Sequence, residues 1–407
     1  MLCQFSVKNY KSIREEITFD MQAAAISEHT NQVIFDRDGQ QFLPVSVIYG
    51  PNGGGKSNVL KSLLALNSKV LKSVHASRGS ENVYAAGNVE IKPFAFDEEM
   101  KDSPTEFELF FRTELAEYRY VLHVKHEIVV FESLDRIKME TGRRSALFVR
   151  EGNNIELKGV FAKLKISEDL SETLPLLSYM GITYRKNEVI DDVLDWFEDS
   201  IDFLNYGNPK QELRTAIANS ETVKSLILDM FHEMGLDIED FRIEEKGDGG
   251  IEVYTEHVVD GYRNELTLAE ESSGTKKIFG LLPFIVNSLA AGTTLIIDEL
   301  DAKVHPVLLK YMIQLFTNLE INRKGAQLIF TSHDLSTMTN ELFRRDEIWF
   351  VAKGNEQNSQ LYSLVEFKNK DGEGVRKDAK YDKQYLEGKY GADPYLRKII
   401  DWGRLDG

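Results

Sequence analysis

The chain has 407 residues, of which 42% are hydrophobic, so it exceeds one average domain and can bury a sizeable core. With 66 acidic and 49 basic residues its formal net charge is −17, which argues against nonspecific nucleic-acid binding by the surface as a whole. Cys3 is the single cysteine, so internal disulfides and cysteine-clustered metal sites are excluded.

The amino terminus enters a strand pattern at once, so we expect no targeting segment. The longest apolar stretch, Ile278–Ala291, is interrupted by Gly280, Pro283, Asn287 and Ser288, which argues against a membrane span. We therefore expect a cytoplasmic protein that does not cross a membrane.

The apolar run Val45–Tyr49 predicts a buried strand that leads into a phosphate-binding loop of the pattern Gly-x4-Gly-Lys-Ser. A helix is expected from about Lys56 to Asn67, so its positive dipole end and the loop N–H groups would face a triphosphate. Lys56 is predicted to bridge the β and γ phosphates and Ser57 to hold Mg²⁺. A plain glycine-rich turn is the alternative. The predicted nucleotide-binding residues are Gly50, Pro51, Asn52, Gly53, Gly54, Gly55, Lys56, Ser57 and Asn58.

The middle of the chain changes its periodicity twice. Apolar and polar residues alternate over Val89–Lys158, which predicts antiparallel strands. Helical spacing within Ser167–Gly235, for example at Ile190–Phe197, predicts a small helical lobe. Strand-like patterning returns over Phe241–Leu268, around a turn at Gly247–Gly250.

The segment Glu270–Lys277 precedes the apolar stretch and predicts a helix start. Ser272, Ser273 and Gly274 would then lie where free N–H groups can bind a phosphate. Taken alone, the segment also fits an ordinary helix cap.

Two further strands are predicted to end in polar residues. Thr294–Ile297 is followed by Asp298, predicted to face the metal, and by Glu299, predicted to orient the attacking water. Gln327–Phe330 leads to His333, whose imidazole could contact the γ-phosphate or that water. The residues predicted to catalyse ATP hydrolysis are Lys56, Glu299 and His333.

Basic residues and the tail leave alternatives open. The basic residues of two segments could form a face that contacts DNA, but scattered, solvated charges are the favoured interpretation. The basic residues concerned are Lys61, Lys69, Lys72, Arg78, Arg136, Lys138, Arg143, Arg144 and Arg150. Within the tail Lys368–Gly407, the charged stretches Lys368–Asp371 and Arg376–Asp378 are most simply solvated loop. A sharper hypothesis is that the aromatic segment Tyr385–Tyr395 docks a partner.

The order of the motifs resembles that of ABC-type ATPases. Ser272–Gly274 resembles their signature motif, which contacts the nucleotide of the opposite subunit, and Leu300–Ala302 resembles the D-loop, so that Asp301 joins the nucleotide-binding set. Phe5–Ile13 looks like the first strand and turn of the SMC/RecF-like (OLD-related) branch. Within that branch the chain is most similar to RloA-like ATPases. The segments that carry this likeness are Glu271–Thr275, Asp298–Asp301 with His305 and Pro306, Arg344–Phe350 and Tyr385–Ala392.

The resemblance implies an α/β fold: an ABC-type P-loop ATPase with a mainly parallel core sheet, an antiparallel β-subdomain and an inserted helical lobe. The expected lobes are residues 1–165 with the phosphate loop and β-subdomain, 166–240 as the helical insertion, and 241–407 with the signature and the tail. It implies ATP and Mg²⁺ as cofactors and a homodimer or higher oligomer with shared ATP sites. A separate effector, such as a nuclease or Toprim-like protein, would be the partner, as in antiphage systems of the RloA/RloB and AriA/AriB types.

One departure concerns the glutamine that ABC ATPases usually place near Mg²⁺. The chain contains no glutamine from Pro51 to Lys210. The equivalent loop is assigned to Lys92–Asp97, in which Asp97 or a water would substitute.

The sequence leaves two functions open and disfavours two others. A sensor or scaffold of a defence complex competes with a DNA-repair or chromosome-maintenance ATPase of the SMC/RecF type. An OLD-type nuclease is disfavoured, because the residues after Asp334 lack the acidic strands of a Toprim domain. A transporter subunit is disfavoured by the amino-terminal strand type and the missing glutamine.

Overall fold

The computed structural model describes residues 1–78, 89–184, 186–204, 221–246, 251–354, 356–369 and 372–392. The predicted turn Gly247–Gly250 and the last residues of the Tyr385–Tyr395 segment lie outside these ranges. Among the residues described, no helix combines the length and the apolar character needed to cross a bilayer.

A six-stranded sheet holds the predicted nucleotide motifs. Its order is β11-β15-β16-β5-β17-β18, and all its pairings are parallel except that of β17 with β18. The strands are β5 (Val45–Tyr49), β11 (Ile201–Leu204), β15 (Thr294–Ile297), β16 (Gln327–Thr331), β17 (Ile348–Lys353) and β18 (Ser359–Ser363). Every residue of β5, β15 and β16 is buried, which explains their continuous apolar runs.

A seven-stranded antiparallel sheet has the order β10-β9-β8-β7-β6-β1-β2. Its strands are β1 (Leu2–Lys8), β2 (Ile17–Asp20), β6 (Thr105–Arg112), β7 (Ala116–Lys125), β8 (Ile128–Lys138), β9 (Arg144–Glu151) and β10 (Asn154–Leu157). The alternating region Val89–Lys158 thus supplies five of these strands, and the amino-terminal strand joins them through β6.

Two smaller antiparallel sheets complete the described strands. One pairs β3 (Ile34–Phe35) with β4 (Gln41–Phe42). The other contains β12 (Asp240–Glu245), β13 (Ile251–Val259) and β14 (Tyr262–Thr267), within the stretch predicted to return to strand. The described helices are Lys56–Arg78, Glu98–Lys101, Leu176–Thr183, Glu188–Asp199, Glu221–Glu233, Ser273–Ala291, Pro306–Thr317 and Tyr381–Leu386, with 3₁₀ turns at Gly159–Phe161, Leu335–Thr337 and Arg345–Glu347.

The parallel sheet is covered on both faces, which confirms the predicted α/β class with its mainly parallel core sheet. Ile48, Ile296 and Ile329 face one apolar cluster, shared with the antiparallel sheet and the helix Lys56–Arg78. Their neighbours along the strands face a second cluster, shared with the helix Ser273–Ala291. The helices predicted for the insertion divide between these clusters: Leu176–Thr183 and Glu188–Asp199 pack in the first and Glu221–Glu233 in the second.

The carboxyl-terminal aromatic residues are part of the core. Tyr385 and Tyr390 are 3% and 1% exposed, and their rings stack on Phe350 of β17 with centroids 5.3 and 5.1 Å apart. These two rings therefore support the central sheet and offer no surface to a partner. The docking role predicted for the segment Tyr385–Tyr395 therefore cannot rest on these two rings, and for the rest of the segment it stays a prediction.

A buried polar cluster fixes the start of β17. Arg344 donates to both carboxylate oxygens of Asp346, at 2.9 and 2.7 Å, and to the carbonyl of Glu28 at 2.5 Å. The adjacent Glu347 is fully buried, and its Oε2 accepts the N–H of Arg344 at 2.8 Å. Its Oε1 finds no partner among the residues described. Burial raises the pKa of Glu347 to about 8.

Glu347→Gln is expected to change how stability depends on pH. Unfolded Glu347 loses its proton near pH 4.5, whereas the folded chain holds it to about pH 8. Between these values the folded state binds more protons, so its stability falls as pH rises, by up to about 1.4 kcal/mol per pH unit. Glutamine keeps an acceptor for Arg344 and removes this titration.

Urea unfolding across this range measures the effect. The free energy of unfolding of Glu347→Gln minus that of the wild type should grow with pH. The exposed Glu341→Gln is the control and should give a difference that stays level. A level difference for Glu347→Gln as well would contradict the raised pKa.

Candidate functional site

All the predicted site residues except Ser272–Gly274 follow the carboxyl ends of three neighbouring parallel strands. β16 lies between β15 and β5, with Ile297 opposite Phe330 and Ile48 opposite Thr331. The carboxyl ends of parallel strands meet at one edge of a sheet, where α/β folds bind their ligands. The three loops that follow these strands therefore open on the same space.

The phosphate loop is held from behind by two distant segments. Ser359 Oγ, at the start of β18, donates to the carbonyl of Gly54 at 2.7 Å and is hydrogen-bonded to the Ser12 hydroxyl, with the two oxygens 2.8 Å apart. Asn58 Nδ2 donates to the same Ser12 hydroxyl, also at 2.8 Å. Gly55 has φ of +113°, and a Cβ there would lie 2.3 Å from Ser359 Oγ, so only glycine fits. The loop is thus clamped by the first turn of the chain and by β18.

Lys56 closes the loop from within. Its side chain is 6% exposed, and its Nζ donates to the carbonyls of Gly50 and Pro51 at 2.9 and 3.3 Å. Burial lowers the pKa of Lys56 to about 8, and the nearby carboxylates of Asp298 and Glu299 oppose that shift. The ammonium is therefore still the main form at neutral pH. A phosphate that reaches this position would replace two carbonyl contacts with a charged partner.

The remaining loop residues line its open side. Ser57 and Asn58 are half-buried in the first turn of the helix Lys56–Arg78, and Asn52 and Gly53 are exposed at the loop tip. The Ser57 hydroxyl and the Asp298 carboxylate are oxygen donors, which Mg²⁺ prefers, and Mg²⁺ sites commonly add substrate phosphates to one or two such groups. The residues present at this edge therefore fit a magnesium–nucleotide complex.

Thr331, at the end of β16, organises the two acids that follow β15. Its hydroxyl donates to Asp298 Oδ1 at 2.6 Å and accepts the backbone N–H of Glu299 at 2.7 Å. One side chain thus contacts both the acid predicted to face the metal and the acid predicted to orient the water. The sequence analysis assigned no role to Thr331, although it lies only two residues before His333.

Glu299 has an unusual backbone. Its φ of +53° lies in the left-handed region, which costs a non-glycine residue roughly 1–2 kcal/mol. Its N–H is bonded to Thr331, and its carbonyl accepts from Lys277 Nζ at 2.7 Å and from the Ala302 N–H at 3.1 Å. These bonds hold the strained residue, whose side chain stays exposed.

Asp301 connects its own loop, the D-loop-like segment, by a hydrogen bond to the loop that contains His333, here called the histidine loop. Its Oδ2 accepts the backbone N–H of His333 at 3.1 Å, and its Oδ1 is buried without a partner in the described part of the chain. Partial burial and then the charge of Lys56 lower the pKa of His333, while Asp301 and Glu299 oppose the shift. At neutral pH the imidazole is therefore uncharged.

The signature segment forms a helix start, as predicted. The helix Ser273–Ala291, here called the signature helix, is capped by Ser272, whose hydroxyl accepts the N–H of Thr275 at 3.1 Å. Ser272 and Ser273 are exposed. Gly274 lies close to the end of the loop that contains Asp301, because an added Cβ would lie 3.2 Å from the carbonyl oxygen of Lys303. Glu271, just before the cap, accepts from Thr255 and His257 of β13 at 2.6 and 2.7 Å.

The loop predicted to replace the missing glutamine is engaged elsewhere. Asp97 forms an ion pair with Arg14 at 2.5 Å and caps the helix Glu98–Lys101 by accepting the N–H of Glu99 at 2.9 Å. Its carboxylate is therefore already paired, and its substitution for the glutamine stays a prediction.

Several of the basic residues considered for a DNA-contacting face are bonded to other groups of this chain. Lys69 bonds Glu127 and Arg78 bonds Glu198. Arg150 is 1% exposed and donates to main-chain carbonyls, and Arg136 is 8% exposed. These four residues are therefore paired or buried. Lys138, Arg143 and Arg144 are exposed around the turn between β8 and β9, so the alternative of a DNA-contacting face stays open. Lys61 is likewise exposed, near the phosphate loop.

Comparisons with known proteins give one family and several solved structures. No curated protein matches the chain. An SMC head bound to the C-terminal winged-helix domain of ScpA is 13% identical over 89% of this chain and 97% of its own, with a TM-score of 0.48. The SMC head domain from Thermotoga maritima is 14% identical over 89% and 98%, with a TM-score of 0.41. An SMC head from Pyrococcus furiosus, bound to the C-terminal domain of ScpA, is 13% identical over 89% of this chain and 96% of its own, with a TM-score of 0.42.

The family model covers the site itself. It matches residues 45–339, from the first residue of β5 through the phosphate loop, the signature helix and the histidine loop. This range is well over half of the chain and includes each predicted site residue. The chain therefore belongs to the family described as "AAA domain, putative AbiEii toxin, Type IV TA system".

Proposed function

We propose that this chain binds and hydrolyses ATP in a dimer, and that the dimer is a sensor or scaffold that controls a separate effector in antiphage defence. The observation that carries the ATPase part is the convergence of Lys56, Asp298, Glu299 and His333 at one edge of the parallel sheet. Membership of an AAA family supports the same activity. Each group has the chemistry that phosphoryl transfer requires, because that reaction depends on positioning and on stabilising charge.

In this proposal the residues act as follows. Lys56 leaves the carbonyls of Gly50 and Pro51 and binds the β and γ phosphates. Ser57 and Asp298 would hold Mg²⁺, which neutralises phosphate charge when it is bound. Glu299 orients the water, and the uncharged His333 donates a hydrogen bond to the γ-phosphate or accepts one from the water.

The second subunit enters through the signature helix. Ser273 and Gly274 lie at its start with Ser273 exposed, so its N–H groups are available to a phosphate from another molecule. This helix start also lies close to Lys303, the residue that follows the D-loop-like segment Leu300–Ala302 of the same chain. We therefore propose that each ATP is bound by the phosphate loop of one chain and by Ser272–Gly274 of the other.

The effector part rests on the family and on the resemblance stated above. The family description names a toxin and a "Type IV TA system", which agrees with a role beside a second protein. A nuclease or Toprim-like effector is the proposed partner. Because Tyr385 and Tyr390 are buried, the effector would contact surfaces other than those two rings.

Glu299→Gln is expected to keep ATP binding and to lose hydrolysis. Glutamine preserves the size and the backbone contacts but cannot polarise the water, so kcat should fall about 100-fold or more. ATP-bound dimer should then accumulate, as measured by light scattering after gel filtration. Lys56→Ala is the comparison variant, since it should abolish nucleotide binding itself. Hydrolysis by Glu299→Gln at the normal rate would refute the role of Glu299.

A mixing experiment tests the shared site. Ser273→Arg and Lys56→Ala chains are each expected to be inactive alone. Mixed, they should form dimers in which one site is intact, with the phosphate loop of the first chain and the signature of the second. Recovery of ATPase activity, up to about half of wild type per mixed dimer, is the expected result. Mixed dimers without activity would argue against sharing between subunits.

Co-expression with the product of the adjacent gene tests the effector. The neighbour should elute with the chain in gel filtration and should contain a nuclease or Toprim-like domain. A neighbour that elutes alone, in a setting of replication genes, would instead favour the repair alternative.

A further inference from the structure

Lys277 links the signature helix to the catalytic glutamate of its own chain. It lies one turn after Ser273, and its Nζ donates to the Glu299 carbonyl at 2.7 Å. It is therefore placed between the helix start proposed to bind one nucleotide and the acid proposed to act on the other. None of the roles described above requires this contact.

The contact acts on a backbone that needs support. Glu299 has a left-handed φ of +53°, and its main chain is bonded on one side by the Thr331 hydroxyl and on the other by Lys277. Thr331 belongs to β16 of the central sheet, whereas Lys277 belongs to the signature helix. A change in the position of that helix would therefore be transmitted to one side of Glu299.

A second contact follows the same route. A Cβ added at Gly274 would lie 3.2 Å from the carbonyl oxygen of Lys303, so the helix start passes close to the residue that follows the segment Leu300–Ala302. The segment from Glu299 to Lys303 therefore lies along the signature helix at both of its ends. Gly274 leaves the space for this close approach, while Lys277 makes a charge-assisted hydrogen bond.

We infer that Lys277 is a positioning residue that sets the orientation of Glu299 according to the position of the signature helix, and so couples the two ATP sites of the proposed dimer. The inference rests on the proposed function, because it assigns the signature helix to the partner's nucleotide. Its role is to position Glu299 through the carbonyl of that residue.

Lys277→Met removes the ammonium and keeps the aliphatic length. ATP binding should persist, with KM within about twofold, while kcat falls about 10-fold or more, because a misplaced catalytic group costs rate rather than affinity. Lys277→Arg restores a cationic donor and should recover most of kcat. The exposed helix residue Lys310→Met is the matched control and should change neither value.

The mixed dimer separates a role in orienting Glu299 from a role in presenting the signature. In a dimer of Ser273→Arg and Lys56→Ala chains, the working site uses Glu299 of the Ser273→Arg chain and the signature of the other chain. Lys277→Met placed in the Ser273→Arg chain should lower the rate. Placed in the Lys56→Ala chain it should leave the rate nearly unchanged. The opposite pattern would overturn the inference.

Hydrogen exchange without nucleotide gives a reading that does not depend on ATPase activity. Lys277→Met should speed exchange in the peptide that contains the Glu299 and Ala302 amides, and Lys310→Met should not. If wild-type protein hydrolyses no ATP but this exchange changes as expected, the proposed function fails and the contact stands. Normal kcat together with unchanged exchange in Lys277→Met would overturn the inference alone.

Discussion

The parallel pairing of β15, β16 and β5 is the constraint on which the site depends. It brings the ends of three strands, far apart in sequence, to one edge in fixed register. Because both faces of this sheet are buried, a slip of one residue would exchange the side chains of the two apolar clusters. The packing therefore enforces the register, and the register places Lys56, Asp298 and His333 around one space.

Much of this arrangement could be predicted from the sequence. Val45–Tyr49, Thr294–Ile297 and Gln327–Thr331 are short apolar runs bounded by polar residues, the pattern of strands buried on both faces. Their polar ends contain the predicted site residues, since the chemistry of parallel sheets concentrates at that edge. A helix start was predicted near Ser273 and Gly274, and the signature helix begins at Ser273.

Contacts between distant segments could not be predicted in the same way. Ser12 and Ser359 meet behind the phosphate loop, although no local pattern distinguishes them from other serines. The stacking of Tyr385 and Tyr390 on Phe350 could not be foreseen either, because a sequence gives the type of a side chain but not its neighbour. The left-handed backbone of Glu299 is likewise invisible in a sequence, since it is imposed by Thr331 and Lys277.

The clamp behind the phosphate loop has a consequence for where this ATPase unit begins and ends. Residues 45–339 match the family, yet Ser12 and Ser359 both lie outside that range and both support the loop. β17, which pairs directly with β5, lies outside it as well. A fragment trimmed to the matched range would leave β5 as an open sheet edge, prone to association with other chains. The smallest unit able to hold a nucleotide is therefore longer than its recognisable motifs.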